Sequence, residues 1–415
     1  MPTTTHLSTV RGAALYIGAL LGPSLLLLPG LAAALAGPAS ILAWIGLLVV
    51  SGLLARVFTS LGTRIPNGGV AAYAAAGLGV RAGRATSWCF LAGVVCGAPV
   101  VCLIGGSYVG DLLGGGRPVS VIAAAILLTA VIALTLGGAR TTTTAQLVLV
   151  GVLVALVLVA IVGAAPSAHA SNWTPFAPHG WASIGSAASV LALSFVGWEA
   201  IAPLTARLRN PGRQLPRVIG IAFAVTAVIY LALAGTTVAV LGAHAGSAVP
   251  LADLLRVAVG SAGPVMAAVA AVVLTLAATN AYLSGAAAMV AEVRTTRAIG
   301  QAGRPSRGLQ LAIAGTGVLV LGGEASDLVS TAQLVAVPTT LFLTVYLGCT
   351  AAAARILAGG MRVVAAMSCG AVLVVLSFSG WALVIGGVVV LAGLYRRRSP
   401  VAVHHGAVSA PCSVA

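Results

Sequence analysis

Long apolar stretches separated by short polar connections run along almost the whole chain. Twelve of them approach the roughly 20 apolar residues that a helix needs to cross the hydrocarbon of a bilayer. The strands of an outer-membrane barrel would instead alternate in polarity over about ten residues. The pattern predicts an all-α integral membrane protein with about 12 transmembrane helices, expected at residues 12–36, 40–61, 85–110, 118–137, 143–165, 181–206, 215–242, 261–291, 308–322, 328–350, 361–379 and 381–395.

The polar connections between these spans give the expected organisation of the chain. Within the connection 62–84, the Pro66-Asn67-Gly68-Gly69 sequence breaks structure, and a short alanine-rich helix is expected after it. In order, we expect a cytoplasmic N-terminus at 1–11, helices one to five within 12–165, an external loop at 166–180, helices six to ten within 181–350, two further helices within 351–398 and a disordered cytoplasmic tail at 399–415.

Composition supports the membrane assignment. The 415 residues are 60% hydrophobic and only 7% charged, whereas about a quarter of the residues in a soluble domain are charged. All 21 basic residues are arginine, and the net charge is +15. With the N-terminus in the cytoplasm, every arginine except Arg117 and Arg256 falls on the cytoplasmic side, as the positive-inside rule requires. We therefore expect a multi-pass plasma-membrane protein with both termini cytoplasmic, and the spread of arginines argues against nucleic acid as a partner.

The sequence lacks the usual signatures of catalysis. The six cysteines form no CxxC or Cys/His pattern, and the chain has no HExxH motif and no phosphate-binding loop. We expect no enzymatic activity, no metal and no bound cofactor. A channel or a non-transporting membrane scaffold stays open as an alternative of another class.

Two of the twelve spans carry interruptions. The first reads "YIGALLGPSLLLLPG", with Gly22 and Pro23 in its first half, and the sixth contains Gly197 and then Pro203. Proline has no N–H and glycine leaves helical geometry freely. Paired interruptions in two halves of a chain are typical of a transporter whose site lies between inverted repeats. Helix ends at such a break attract a carboxylate or an ammonium group, although Gly and Pro also simply kink membrane helices.

Several motifs resemble those of a known superfamily. They are "ALLGPSLLLLPGLAAALAG", "IPNGGVAAY", "SWCFL", "FVGWEAIAPLTARLRNPGRQLPRVI" and "TNAY". They resemble the amino acid–polyamine–organocation (APC) superfamily and are most similar to its branch of bacterial methionine and branched-chain amino acid exporters. The resemblance implies a LeuT-like core of 5+5 inverted repeats with broken helices 1 and 6, plus two extra helices. It also implies proton-coupled export of neutral apolar amino acids (methionine, leucine, isoleucine and valine), with uptake or exchange of an amino acid or amine as the alternative.

The resemblance also implies which residues bind substrate. The superfamily's substrate loop corresponds to Gly22-Pro23-Ser24, preceded by the carbonyl of Leu20. This chain departs from the pattern, because Pro23 cannot donate an N–H and Ser24 replaces a glycine. The second break corresponds to Phe195-Val196-Gly197-Trp198, the eighth span offers Asn280 and Tyr282, and the third span offers Gly97 and Ala98 as pocket wall.

Glu199 is the one acid that lies well inside a predicted span. An ionisable group in a membrane interior is by default a functional candidate, so we expect Glu199 to couple transport to a proton gradient or to gate it. Its alternative role is that of a neutral, hydrogen-bonded structural residue. Sodium coupling through Thr275, Thr279 and Ser284 is the less favoured option. The expected partners are a small-molecule amino acid and the lipid bilayer, and the sequence leaves the oligomeric state undetermined.

Overall fold

The structure is a computed structural model that describes residues 7–65, 68–138, 142–198, 205, 208–294 and 307–395, with backbone only for residue 195 and residues 287–294. These residues are nearly all helical. Fifteen α-helices lie within the described ranges, and we number them in chain order: α1 Thr9–Leu20, α2 Ser24–Ala36, α3 Ser40–Arg64, α4 Val70–Leu78, α5 Val80–Leu112, α6 Gly116–Leu136, α7 Thr143–Ala164, α8 Ser183–Leu191, α9 Pro211–Leu241, α10 Pro250–Val259, α11 Ala262–Arg294, α12 Arg307–Ala325, α13 Thr331–Ile356, α14 Gly360–Ser377 and α15 Ala382–Tyr395.

Many of these helices are suited to a bilayer. Nine helical segments of the described ranges are long and apolar enough to cross a membrane, and Thr9–Leu20, Ser183–Ser194 and Ala382–Tyr395 are shorter apolar helices. The segment Thr143–Ser167 has a mean hydropathy of 3.2, yet only 28% of its most apolar window is buried inside the protein. Apolar side chains that do not face a core must face lipid. The protein is therefore a multi-pass membrane protein.

The helix bounds follow the hydrophobic pattern in most places. The first predicted span is divided into α1 and α2, and the sixth leaves helical structure after residue 195. The alanine-rich helix expected in the 62–84 connection is α4. The tail 399–415 lies outside the described residues.

Helix α10 is not predicted by the hydrophobic pattern of the sequence. This helix has ten residues, begins at Pro250 and buries Leu251, Leu254 and Leu255. It is too short to span a bilayer, so a search for spans reads it as part of a loop. Proline is well suited to the first turn of a helix because its missing N–H has no intrahelical partner there.

Helix α5 packs closely against α6 through glycines. A β-carbon on Gly106 would clash with the carbonyl oxygen of Ser120, and one on Gly110 would clash with the Ser120 side chain. Small residues four apart allow two membrane helices to approach until their backbones touch. The abundance of glycine in this chain is thus partly explained by helix packing.

The two arginines that depart from the positive-inside pattern are both paired with acids. Arg117 contacts Asp327 at 2.7 Å. Arg256 contacts Asp111 at 3.1 Å and Asp253 at 2.6 Å. These pairs join the start of α6 to the loop before α13, and α10 to the end of α5. Both arginines are therefore paired with acids on the protein surface.

Candidate functional site

The first helix break lies between Leu20 and Ser24. Leu21 leaves helical geometry with φ −85° and ψ 50°, and Pro23 occupies the N-cap of α2. The N–H of Leu25 donates to the carbonyl of Gly22 at 3.0 Å and that of Leu26 to the carbonyl of Pro23 at 3.0 Å. The N–H groups of Gly22 and Ser24 have no hydrogen-bond partner among the described residues. The start of α2 therefore presents two free donors.

The second break follows α8. A 3-10 turn covers Ala192–Phe195, Val196 is extended with ψ 121°, and Gly197 adopts φ +145°. A β-carbon on Gly197 would lie 2.8 Å from the carbonyl oxygen of Ala19. Only glycine combines this positive φ with so close a backbone contact. The two breaks therefore touch each other at Gly197.

A cavity of about 60 Å³ lies against both breaks. This volume is several times the roughly 10–15 Å³ that one water molecule needs. Its walls come from the breaks and from α5, α11 and α13, and its lining residues are Ala19, Gly22, Pro23, Ser24, Gly93, Val94, Gly97, Ala98, Val100, Val101, Leu193, Val196, Thr279, Tyr282, Pro338 and Phe342. Three of these side chains are polar, namely Ser24, Thr279 and Tyr282. A few polar groups in an apolar concavity are typical of a small-molecule site.

The structure brings part of the predicted residue set to this cavity. Gly22, Pro23, Ser24, Val196 and Tyr282 line it, together with Gly97 and Ala98. Leu20, Gly197, Trp198 and Asn280 lie outside its lining. The side chain of Phe195 and the whole of Glu199 lie outside the described residues.

Trp198 faces away from the cavity. Its side chain is fully buried, its Nε1 donates to the hydroxyl of Ser51 at 3.2 Å, and its ring packs against that of Tyr16 with centroids 5.6 Å apart. These contacts fix the second break against α1 and α3. Trp198 acts here as an anchor of the break and not as a wall of the cavity.

Asn280 also points elsewhere. Its side-chain oxygen accepts a hydrogen bond from the hydroxyl of Thr135 on α6 at 3.0 Å, and the residue is 6% exposed. As its polarity predicts, it faces the protein interior and not lipid. Its neighbour Thr279, considered in the sequence only as a sodium ligand, lines the cavity instead.

Tyrosine hydroxyls hold the backbone around both breaks, and the sequence analysis missed most of them. Tyr230 on α9 donates to the carbonyls of Leu20 at 3.0 Å and Ser194 at 3.3 Å, so one hydroxyl bridges the two breaks. Five of the seven tyrosines make such contacts: Tyr16 to the Trp198 carbonyl at 3.4 Å, Tyr108 to the Leu26 carbonyl at 2.7 Å, Tyr230 as above, Tyr282 to the Val196 carbonyl at 3.5 Å, and Tyr346, whose hydroxyl accepts from the Gly197 N–H at 3.3 Å.

This arrangement explains how broken helices persist in a membrane. A helix that stops inside the bilayer exposes carbonyl and N–H groups that lipid cannot satisfy. The tyrosine hydroxyls satisfy carbonyls on both breaks and leave the Gly22 and Ser24 N–H groups for another partner. The signal in the sequence was the position of tyrosines within otherwise apolar spans, since a buried hydroxyl needs a partner.

The described residues hold no group of three or more His, Cys, Asp or Glu side chains that could bind a metal ion. The described residues around the cavity offer backbone N–H groups at the first break beside an apolar wall. Such a site suits a small molecule that carries a charged or polar head and an apolar side chain.

Comparison with known proteins identifies the family. Residues 7–304 match the family described as amino acid permease. The chain is 30% identical over 401 residues to an uncharacterised amino acid permease of Bacillus subtilis (strain 168), covering 93% of this chain and 94% of that protein. It is 28% identical over 414 residues to the L-methionine/branched-chain amino acid exporter of Escherichia coli (strain K12), covering 95% and 97%. The chain belongs to the amino acid permease family, within the amino acid–polyamine–organocation superfamily.

Proposed function

We propose that this protein is a secondary active transporter that exports neutral apolar amino acids such as methionine, leucine, isoleucine and valine. The observation that carries the proposal is the cavity at the meeting point of two helix breaks. Its free Gly22 and Ser24 N–H groups lie at the positive end of α2, which favours a carboxylate. Its glycine, alanine, valine and phenylalanine walls favour an apolar side chain. The export direction is taken from the similarity to the Escherichia coli exporter.

The architecture proposed for this function has twelve spans. The pairs α1–α2 and α8 with the residues after it form the broken first and sixth helices of two inverted five-helix repeats, and α14 and α15 are additional. The support is that the interruptions fall at corresponding positions in the two halves, at residues 21–23 and 196–197. Movement of one repeat against the other would open the cavity to each side of the membrane in turn.

Glu199 is proposed as the proton-coupling residue. It follows Trp198, whose buried side chain is anchored to Ser51 and Tyr16, and it is the one acid well inside a predicted span. A membrane interior disfavours the charged form of a carboxylate, so a glutamate within a span can take up a proton at one stage of the cycle and release it at another. Sodium coupling remains the less favoured alternative.

Counterflow in proteoliposomes tests the transport function. Vesicles containing purified protein and unlabelled methionine are placed in labelled methionine, and uptake of label is followed with leucine, arginine or glutamate as competitors. We expect label to accumulate and leucine to compete, whereas arginine and glutamate do not. Absence of counterflow with methionine and leucine, in protein that elutes as a single folded species, contradicts the proposal.

A carboxyl variant tests the coupling. Counterflow is driven by exchange and needs no net proton movement, so Glu199→Gln is expected to retain counterflow but to lose net transport driven by a pH gradient. Glu324→Gln is the matched control, because Glu324 lies at the end of α12 and interacts with Thr331, away from the cavity. Equal pH-driven transport by Glu199→Gln and wild type would remove Glu199 from the mechanism.

A further inference from the structure

Three exposed arginines lie around the connection between α13 and α14. The Nη1 group of Arg64, the last residue of α3, donates to the carbonyl of Ile356 at 3.3 Å. Arg355 directly precedes Ile356, and Arg362 lies in the first turn of α14. Helix α14 packs against both α3 and α13. These three residues, which we call the arginine surface, therefore come together from three neighbouring helices.

No acid balances the arginine surface within the part of the chain that the structure describes. The ion pairs found there belong to Arg117 and Arg256. The acids with described side chains lie at or beside the opposite ends of α5, α12 and α13, and they are Asp111, Asp253, Glu324 and Asp327. Helix α13 alone has 26 residues, so about 39 Å of helix lie between the two ends. The negative charge that balances these arginines therefore comes from outside the described residues.

The arginine surface lies at the depth of the lipid headgroups. Arg64 ends the apolar segment Ser24–Arg64, Arg355 lies in the last turn of Thr331–Ile356, and Arg362 lies in the first turn of Gly360–Ser377. The hydrocarbon of a bilayer covers the apolar length of such segments, and the polar headgroups lie directly beyond it. All three arginines are exposed, so a lipid phosphate can reach their guanidinium groups.

An apolar stripe begins beside Arg362 and runs along α14. Val363, Met367 and Val374 are 59%, 56% and 61% exposed, and their spacings of four and seven residues place them on one face of the helix. Only 28% of the most apolar window of α14 is buried inside the protein, so this face contacts acyl chains. Cations at headgroup depth above an apolar stripe match both parts of a phospholipid, whereas a free phosphate would use the cations alone.

We propose that the arginine surface binds the headgroup phosphate of an anionic phospholipid whose acyl chains lie along α14. Charge complementarity supports this partner, because basic groups at the ends of membrane helices attract anionic lipids. A guanidinium group also matches the geometry of a phosphate, with two parallel hydrogen bonds. The surface is separate from the cavity, and the inference does not depend on the transported substrate.

Native mass spectrometry of the purified full-length protein in an uncharged detergent tests this proposal. The apparent affinity for dioleoyl phosphatidylglycerol is compared with that for dioleoyl phosphatidylcholine, which has the same chains and no net charge. We expect wild type to bind the anionic lipid at least about tenfold more tightly. Each arginine near an anionic headgroup contributes about fivefold. Arg355→Gln/Arg362→Gln should therefore weaken phosphatidylglycerol binding about twentyfold, and addition of Arg64→Gln about hundredfold. The double variant keeps the hydrogen bond of Arg64 to Ile356, so the test stands even if the triple variant does not fold.

Two further variants separate this surface from net charge. Arg11→Gln/Arg213→Gln/Arg217→Gln removes three exposed arginines from α1 and α9, and it should change the affinity less than about threefold. Arg355→Lys/Arg362→Lys keeps the charge and should retain most of the binding, because lysine still attracts a phosphate as a point charge.

Several results would overturn the proposal. They are equal binding of the two lipids by wild type, wild-type affinity in a folded Arg355→Gln/Arg362→Gln protein, and an equal loss in the α1 and α9 control. Competition distinguishes the source of the phosphate. Displacement of phosphatidylglycerol by millimolar inorganic phosphate would show a free-anion site in place of a lipid site, and we expect no such displacement.

Discussion

The hydroxyl of Tyr230 offers the sharpest test of how the helix breaks are held. Tyr230 is fully buried on α9 and its ring stacks on Trp44, with centroids 4.8 Å apart and an interplanar angle of 25°. Tyr230→Phe keeps this stacking and removes only the oxygen. The carbonyl of Leu20 then loses its donor at 3.0 Å and that of Ser194 loses its donor at 3.3 Å.

The size of the effect follows from these contacts. The helix break after Leu20 removes the intrahelical donor that its carbonyl would otherwise have, and lipid offers none. A buried polar group left without a partner costs about 1–3 kcal/mol. Two carbonyls lose their donor, but they share one hydroxyl proton, so the penalty is smaller than that of two fully unsatisfied groups. We expect the free energy of unfolding to fall by about 2 kcal/mol.

The assay is equilibrium unfolding of the purified protein in mixed detergent micelles, followed by tryptophan fluorescence. Tyr395→Phe is the control, because Tyr395 is 82% exposed at the end of α15. We expect the control to unfold as wild type does, and Tyr230→Phe also to slow methionine counterflow because both breaks lose a support. If Tyr230→Phe and Tyr395→Phe unfold within about 0.5 kcal/mol of each other, the hydroxyl does not hold the breaks.

Three further predictions concern other parts of the structure. Gly197→Ala should abolish counterflow and lower the unfolding temperature, because its β-carbon meets the Ala19 carbonyl at 2.8 Å with φ +145°; Gly212→Ala, which has open space around it, should do neither. Gly106→Val should lower the free energy of unfolding by about 1–3 kcal/mol through overpacking against α6, and stability equal to wild type would contradict the close α5–α6 contact. Arg117 lowers the pKa of the exposed Asp327 carboxyl by donating a hydrogen bond to it and by its positive charge. The pair therefore persists above the ordinary aspartate pKa and is lost as the pH falls through the lowered value, and Arg117→Gln should raise the Asp327 pKa in carboxyl-carbon NMR, where an unchanged value would refute the pairing.

The membrane helices and their breaks could be predicted because simple physical requirements determine them. Each crossing of a bilayer requires about 20 apolar residues, and apolar stretches close to this length recur along the chain. Pro23 removes an N–H and Gly197 permits a positive φ, so the sequence marks both break positions directly. The short helix α10 escaped the same search because it is not a span.

The side-chain assignments at the site were harder to predict because they depend on helix rotation. Successive residues of an α-helix are turned by about 100°, so neighbouring positions face different environments. Asn280 and Thr279 illustrate this: the sequence favours the amide at 280 as a ligand, whereas the residue that lines the cavity is Thr279. Trp198 is similar, because its contacts with Ser51 and Tyr16 come from helices far away in sequence.

The central claim is that the cavity between the two breaks is the amino acid binding site. Gly97 lines it, and a β-carbon there would be in ordinary contact with Pro338, 3.5 Å away. The larger Gly97→Val therefore projects its methyl groups into the cavity. Gly220→Val is the control, since Gly220 is exposed on α9 with nothing within 4 Å.

The most direct measurement is equilibrium binding of labelled methionine to purified wild type, Gly97→Val and Gly220→Val, each shown to be folded by size-exclusion elution and helical circular dichroism. We expect saturable binding by wild type and Gly220→Val and at least a tenfold loss of affinity in Gly97→Val. Wild-type affinity in a folded Gly97→Val protein would contradict this expectation and place the amino acid elsewhere in the molecule.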